Sequence, residues 1–143
     1  MKAENTTKIQ FDSLSVNESY ARGAAAAFLA RYDPTVPQLA DIKTAVSEAV
    51  TNCIVHAYPG VLGQIYITVS LFENGRVRLR IADKGVGIED VARSMQPMTT
   101  SGGPERAGLG FTVMQAFMDS LKVRSKLGKG TVVTMEKTIA RRC

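Results

Sequence analysis

Three short segments of the chain carry residue types whose spacing could do chemistry. Glu48 and Asn52 stand four apart in a stretch of helical periodicity, which sets a carboxylate and a side-chain amide on one face, one turn from each other. The same pair can also be the polar outer stripe of an amphipathic helix. Asp83-Lys84-Gly85-Val86-Gly87 follows an alternating apolar run, so a carboxylate arrives at a strand end just before a turn with two glycines. Turns of that kind are common in themselves. Arg106-Ala107-Gly108-Leu109-Gly110 closes a long irregular segment and opens a helix. Free amides at a helix start, with glycines beside them, form an anion-binding nest, and an arginine adds charge suited to phosphate. Glycine at a helix start is otherwise ordinary.

Several familiar sites are excluded. The phosphate-loop pattern G-x-x-x-x-G-K-[ST] is absent, and the pairs Gly85/Gly87, Gly108/Gly110 and Gly128/Gly130 never extend to G-x-G-x-x-G. The glycine-rich loop, H-R-D and D-F-G elements of eukaryotic-type protein kinases are missing as well. His56 is the single histidine, so no histidine-pair zinc motif can form. Cys53 and Cys143 make no C-x-x-C pair and read as free thiols of a reducing compartment.

The elements that must position these residues follow from periodicity. Lys8 to Phe11 alternates as a short first strand, and Ser15-Val-Asn-Glu18 fits a capping box that would open an alanine-rich helix running to about Arg31. Asp33-Pro34 stops that helix, and a second begins near Pro37. Its stripe of Leu39, Ile42, Val46, Ala49 and Cys53 suits packing on a sheet. Ile65, Ile67, Val69 and Leu71 share one face of a strand, as do Val77, Leu79 and Ile81 of the next, and Glu73-Asn74-Gly75 between them is a hairpin turn. Arg76, Arg78 and Arg80 fall on the opposite face and are most simply solvated. A helix around Leu109 to Ser120 and strands at Lys122–Ser125 and Gly130–Lys137 complete the chain. The expected fold class is α+β, a two-layer sandwich with helices on one face of a mixed, largely antiparallel sheet. Met95 to Gly110, rich in Gly, Ser, Thr and Pro, reads as a flexible lid or binding loop at about 95–110.

With 143 residues, of which 45% are hydrophobic, residues 1–143 are expected to form a single domain. The longest uncharged stretch near the N-terminus, Gly23 to Ala30, is far below the ~18–20 residues that span a bilayer. A cytoplasmic protein without a membrane partner is expected. The net charge of +5 is uneven, because residues 122–143 hold seven basic side chains against Glu136 alone. No aromatic residue interleaves those charges, so a base-stacking groove and direct nucleic-acid binding are not expected.

Taken in order, E-x-x-x-N on a helix, strand–D-x-G-x-G, lid, G-x-G at a helix start and Gly130-Thr131 in the last strand resemble the Bergerat ATP-binding fold. That fold is shared by gyrase, Hsp90, histidine kinases and MutL, the GHKL superfamily. Within it, FDSLSVNESYARGAAAAFLARYDPT, IKTAVSEAVTNCIVHAY, MTTSGGPERAGLGFTVM and GKGTVV resemble the anti-sigma F factor family, serine protein kinases of spore-forming bacteria. The likeness runs over nearly the whole chain.

The resemblance implies a division of labour. Asn52 would bind Mg²⁺ through its amide oxygen, a suitable hard ligand. Glu48 would be the catalytic base that accepts the serine proton, and Arg106 the phosphate-contacting arginine. Asp83 would accept a hydrogen bond from the adenine amino group of ATP or ADP, with Thr131 supporting the ring. Gly85 and Gly87 would let the backbone approach the purine. Thr99, Thr100 and Ser101 lie in the lid, while Gly108 and Gly110, with Leu109 between them, would offer amides to the phosphates. The lid here reads Thr-Thr-Ser-Gly-Gly-Pro where relatives often show Thr-Thr-Lys-Pro. Arg22 matches an exposed arginine that the family uses in partner binding. The function implied is inhibition of a sporulation sigma factor together with phosphorylation of a serine on an anti-anti-sigma factor, by a homodimer. A nucleotide-dependent sigma-binding module without kinase activity is the alternative.

Overall fold

Residues 2–94 and 104–139 are described by the computed structural model. The alternating runs form the expected hairpin, with β2 (Gln64–Leu71) antiparallel to β3 (Arg76–Asp83) and Ile67 opposite Ile81. Gly75 takes a φ of 86°, closed to residues with a β-carbon without strain, and Asn74 Oδ1 accepts the Arg76 amide at 3.0 Å. The first strand, β1 (Asn5–Asp12), is longer than its apolar core and pairs along all of β2. At the other side β5 (Gly130–Thr138) pairs with β3, and β4 (Ser120–Lys126) with β5. The sheet order is therefore β1-β2-β3-β5-β4, and all four ladders are antiparallel, without a parallel pair among the described residues.

One face of this sheet is apolar and is covered by helices. Ile65, Ile67, Val69, Leu71, Val77, Leu79, Ile81 and Met135 are all essentially inaccessible. Against them lie α1 (Asn17–Ala30), α2 (Val36–Asn52) and α4 (Pro104–Phe117), with α2 in the middle touching both others. Ala21 and Ala25 of α1 bring that helix close to α2, whose Ile42, Val46 and Val50 fill the centre of the core. A short helix, α3 (Val91–Ser94), precedes α4.

The capping box forms at a different helix from the one expected. Val16 occupies the cap position of α1 with helical angles, and the Glu18 amide already donates to the Ser15 carbonyl at 3.2 Å. The Ser15 hydroxyl is therefore not called on, because a side-chain cap needs an extended residue at that position. At α2 the requirement is met. Thr35 is extended (φ −67°, ψ 158°), its hydroxyl accepts the Gln38 amide, and Gln38 Oε1 accepts the Thr35 amide at 2.9 Å. Pro37 sits in the first turn, where its missing N–H costs nothing. The last helix also differs, beginning at Pro104 rather than near Leu109 and ending at Phe117.

Directly after Asn52 the helix widens. Cys53–Ala57 form a π-helical turn, closed by the Tyr58 amide on the Cys53 carbonyl at 3.2 Å. Such turns usually mark an inserted residue retained at functional sites. Here it frees the end of α2 from regular geometry beside the C-terminal end of β3.

Candidate functional site

The site grows from the end of β3. Asp83 is the last residue of that strand and is 7% exposed. Its Oδ1 accepts two backbone amides, from Gly85 at 3.0 Å and from Thr131, its neighbour on β5, at 3.2 Å. Among the described residues its Oδ2 accepts only the Cys53 thiol, at 3.5 Å. Burial raises the Asp83 pKa above its ordinary value, while the hydrogen bonds from Gly85, Cys53 and Thr131 pull it back. One carboxylate oxygen is thus committed to backbone and the other is only weakly engaged.

The glycines around Asp83 are there for space. A β-carbon on Gly85 would run into the Ala57 carbonyl, which already accepts the Val86 amide at 3.0 Å. Gly87 takes a φ of 78° against the Lys126 carbonyl, and the Val86 carbonyl accepts the Gly128 amide at 2.7 Å. The turn after β3 is therefore clamped between the π turn and the β4–β5 connection. Ser125 completes the clamp, its hydroxyl lying 2.8 Å from that of Thr131 and accepting the Ile88 amide at 2.7 Å. Tyr58 adds a strut: its hydroxyl accepts the Lys84 amide and donates to the Gln64 carbonyl, each at 2.7 Å.

Asn52 faces this turn from the end of α2. Asn52, Asp83, Gly87 and Thr131 line one pocket, together with Cys53, His56, Ile88 and Phe111. Asn52 Nδ2 is buried and has no hydrogen-bond partner among the described residues. An orphaned amide of this kind costs stability and marks either a site or a missing partner. A β-carbon on Gly110 would stand 3.1 Å from the Asn52 amide, so glycine there lets α4 pass directly over it. With its oxygen turned inward, the same amide fits a hard divalent cation that draws its other ligands from phosphate and water.

Glu48 stands one turn before Asn52 but outside the pocket wall. It is half-buried, and its pKa is raised first by burial and then by the nearby Glu18 carboxylate. Arg22 lies where α1 meets α2, pairing with Glu18 at 3.3 Å and reaching the hydroxyl of Ser47, the residue before Glu48, at 3.5 Å. Two groups of residues thus emerge, a pocket at Asn52 and Asp83 and a charged cluster at Arg22 and Glu48, joined by one turn of α2. Arg106, Gly108 and Leu109 fall in the first turns of α4, with their side chains outside the described residues, and Thr99, Thr100 and Ser101 lie outside them altogether.

Sequence reasoning missed Cys53 as a partner of Asp83, and it missed Ser125 and Tyr58. Only Ser125 left a local signal, because it breaks the apolar alternation Leu121, Val123 on the helix-facing side of β4.

A helix-backed antiparallel sheet with an Asn at a helix end and an Asp at a strand end is the frame of a nucleotide-binding ATPase module. The model of the histidine kinase-like ATPase domain family matches residues 13–137. By fold, the RsbU and RsbW domain structure from Mycobacterium tuberculosis is similar over 97% of this chain and 34% of that one, with a TM-score of 0.70 at 19% identity. The mycobacterial sensor histidine kinase MprB is similar over 95% of this chain and 100% of that one, with a TM-score of 0.58 at 15% identity. In sequence the chain is 54% identical to an anti-sigma F factor of Caldanaerobacter subterraneus over 99% of both chains. It is 46% identical to that of Priestia megaterium, covering 94% of this chain and 92% of the relative. The chain belongs to the anti-sigma F factor family.

Proposed function

We propose that this chain binds and inhibits a sporulation sigma factor, sigma F, and uses Mg·ATP to phosphorylate a serine of the anti-anti-sigma factor. It would do so as a homodimer in the cytoplasm. The observation that carries the nucleotide reading is Asp83, whose Oδ1 is held by two backbone amides while Oδ2, among the described residues, meets only a thiol. A buried carboxylate oxygen so weakly engaged suits the amino group of adenine. The expected role of Gly85 and Gly87 against the purine has no such support, because the space beside them is filled by the Ala57 and Lys126 carbonyls.

Asn52 would hold Mg²⁺ through its amide oxygen, and the ion when bound would neutralise charge on the phosphates. The amides of Gly108 and Gly110 and the guanidinium of Arg106, at the start of α4, would orient the phosphates. Glu48 takes the proton of the attacking serine hydroxyl as the oxygen bonds to the γ-phosphorus and the bond to the ADP oxygen breaks. Its raised pKa makes it a better base near neutral pH than an ordinary glutamate. Its place outside the pocket wall, next to the Ser47 that Arg22 reaches, suits a proton that arrives on a partner protein docked over the α1–α2 edge.

That same displacement from the pocket favours a second reading, a nucleotide-dependent sigma-binding module without phosphoryl transfer. Labelled phosphoryl transfer separates the two. The chain is mixed with Mg·ATP labelled at the γ-phosphate and an anti-anti-sigma protein, with Glu48→Gln alongside. Label should appear on the partner's serine and fall by roughly 10²–10⁴-fold in the variant, the usual weight of a general base. ATP binding without transfer would leave the binding module as the function.

A further inference from the structure

The sheet has a second face that no described helix covers. On β3 its outward residues include Arg76, Arg78 and Arg80, all exposed, and on β4 they include Lys122, Arg124 and Lys126, also exposed. Lys8 joins them from β1. Pairing aligns these strands so that the central row reads Lys8, Thr68, Arg80, Thr134, Lys122 across all five. Seven basic side chains therefore share one face with two acidic ones, Asp12 and Glu136, among the described strand residues. That surplus of five equals the formal net charge of the whole chain, +5, so the remainder of the protein is balanced.

Both acids are already engaged. Asp12 accepts the Gln64 amide, and Glu136 pairs with Arg78 at 2.7 Å and Arg76 at 3.7 Å. Lys8, Arg80, Lys122, Arg124 and Lys126 have no acidic partner within ion-pair reach among the described residues. The face also lacks the apolar centre that a stable protein–protein interface needs, since its larger apolar members, Tyr66 and Val132, are half-buried in the sheet. Its strands offer no fully exposed apolar group for insertion into a bilayer, and a second copy would set cations against cations. A polar, flat and strongly positive surface is what protein–DNA interfaces have.

The spacing agrees with the charge. Alternate residues on an antiparallel strand are about 6.8 Å apart, twice the rise of about 3.4 Å per nucleotide of one B-form strand. The threonine hydroxyls between the cations supply further donors to phosphate oxygens.

We propose that the open sheet face is a docking surface for duplex DNA, held through its phosphates without reading base sequence. The expectation of no direct nucleic-acid binding rested on the lack of aromatic residues among the C-terminal charges. Phosphate contacts need none, and strand pairing through β5 sets the β3 arginines, which read as merely solvated, on the same face as the β4 cations. The surface is separate from the nucleotide pocket and stands whether or not the chain is a kinase.

Fluorescence anisotropy of a labelled duplex of about 20 base pairs, titrated with the full chain between about 50 and 200 mM salt, tests it. Five unpaired cations predict a slope of log affinity on log salt of about −4 to −5. Arg80→Gln/Lys122→Gln should flatten the slope by about 2 and weaken binding about tenfold at low salt, whereas Lys43→Gln/Arg93→Gln, with the same net charge, should leave both nearly unchanged. Absence of duplex binding at low salt would overturn the proposal, as would equal weakening by both double variants. It would also fall if the chain bound anionic vesicles but not duplex, or if Arg80→Gln/Lys122→Gln changed the sedimenting mass while duplex affinity stayed intact.

Discussion

The Cys53 thiol donates to Asp83 Oδ2 at 3.5 Å, joining the π turn after α2 to the last residue of β3. Burial, and then the Asp83 charge, push the Cys53 pKa well above its ordinary value, so the thiol stays a donor at neutral pH. The contact makes the two halves of the pocket interdependent.

Asp83 gives the protein a pH signature. Its folded pKa is raised above the ordinary 3.8, so the folded state holds that proton more tightly than the unfolded chain. The stabilisation this supplies is complete below 3.8 and is lost as pH rises through the raised value. Asp83→Asn removes the titration while its amide oxygen can keep the Gly85 and Thr131 hydrogen bonds. Urea midpoints of both proteins across that range should show the wild type losing ground to the variant as pH climbs. A pH-independent difference would contradict the burial-driven shift. Under the proposed function ATP affinity should also fall in the variant, because one carboxylate oxygen would become a donor facing the adenine amino group.

At Asn52 stability and the proposed function should trade against each other. Leucine matches its shape and removes the orphaned Nδ2, so Asn52→Leu should raise stability without nucleotide by about 1 kcal/mol. The same change should abolish Mg²⁺-dependent nucleotide affinity. Thermal melts with and without Mg·ATP read both effects, and a lower melting point without ligand would mean that the amide is paired.

The two serine/threonine starts should behave oppositely. Thr35→Ala removes a formed capping box and should cost about 1 kcal/mol. Ser15→Ala, at an exposed residue whose hydroxyl caps nothing, should stay within about 0.5 kcal/mol. Paired denaturation midpoints decide it, and equal losses would place a working cap at both helices.

The hairpin was legible because local rules specify it: Asn74-Gly75 admits one kind of turn, and strict alternation picks the buried face. The convergence of Asn52 with Asp83 was expected only through the family resemblance, because each of the two segments has an ordinary reading by itself. The π turn was not legible, since Cys53 to Ala57 keep helical spacing and only the hydrogen-bond pattern reveals the wider turn. Ser15 misled because a capping motif states what side chains could do, whereas the backbone at Val16 decides whether they are needed. The basic sheet face depends on register between strands far apart in sequence. Arg80 and Lys122 face the same way only because β5 lies between their strands.

The π turn also makes the pocket sensitive to residue count as well as residue type. Removing any single amino acid between Cys53 and Ala57 would collapse the wide turn to an ordinary one, which holds one residue fewer, and shift the residues that close it. The Ala57 carbonyl would then swing away from Val86, and the glycine turn would lose the anchor that holds it beside Asp83. In this stretch a one-codon deletion should be less tolerable than most of the substitutions that leave its length alone.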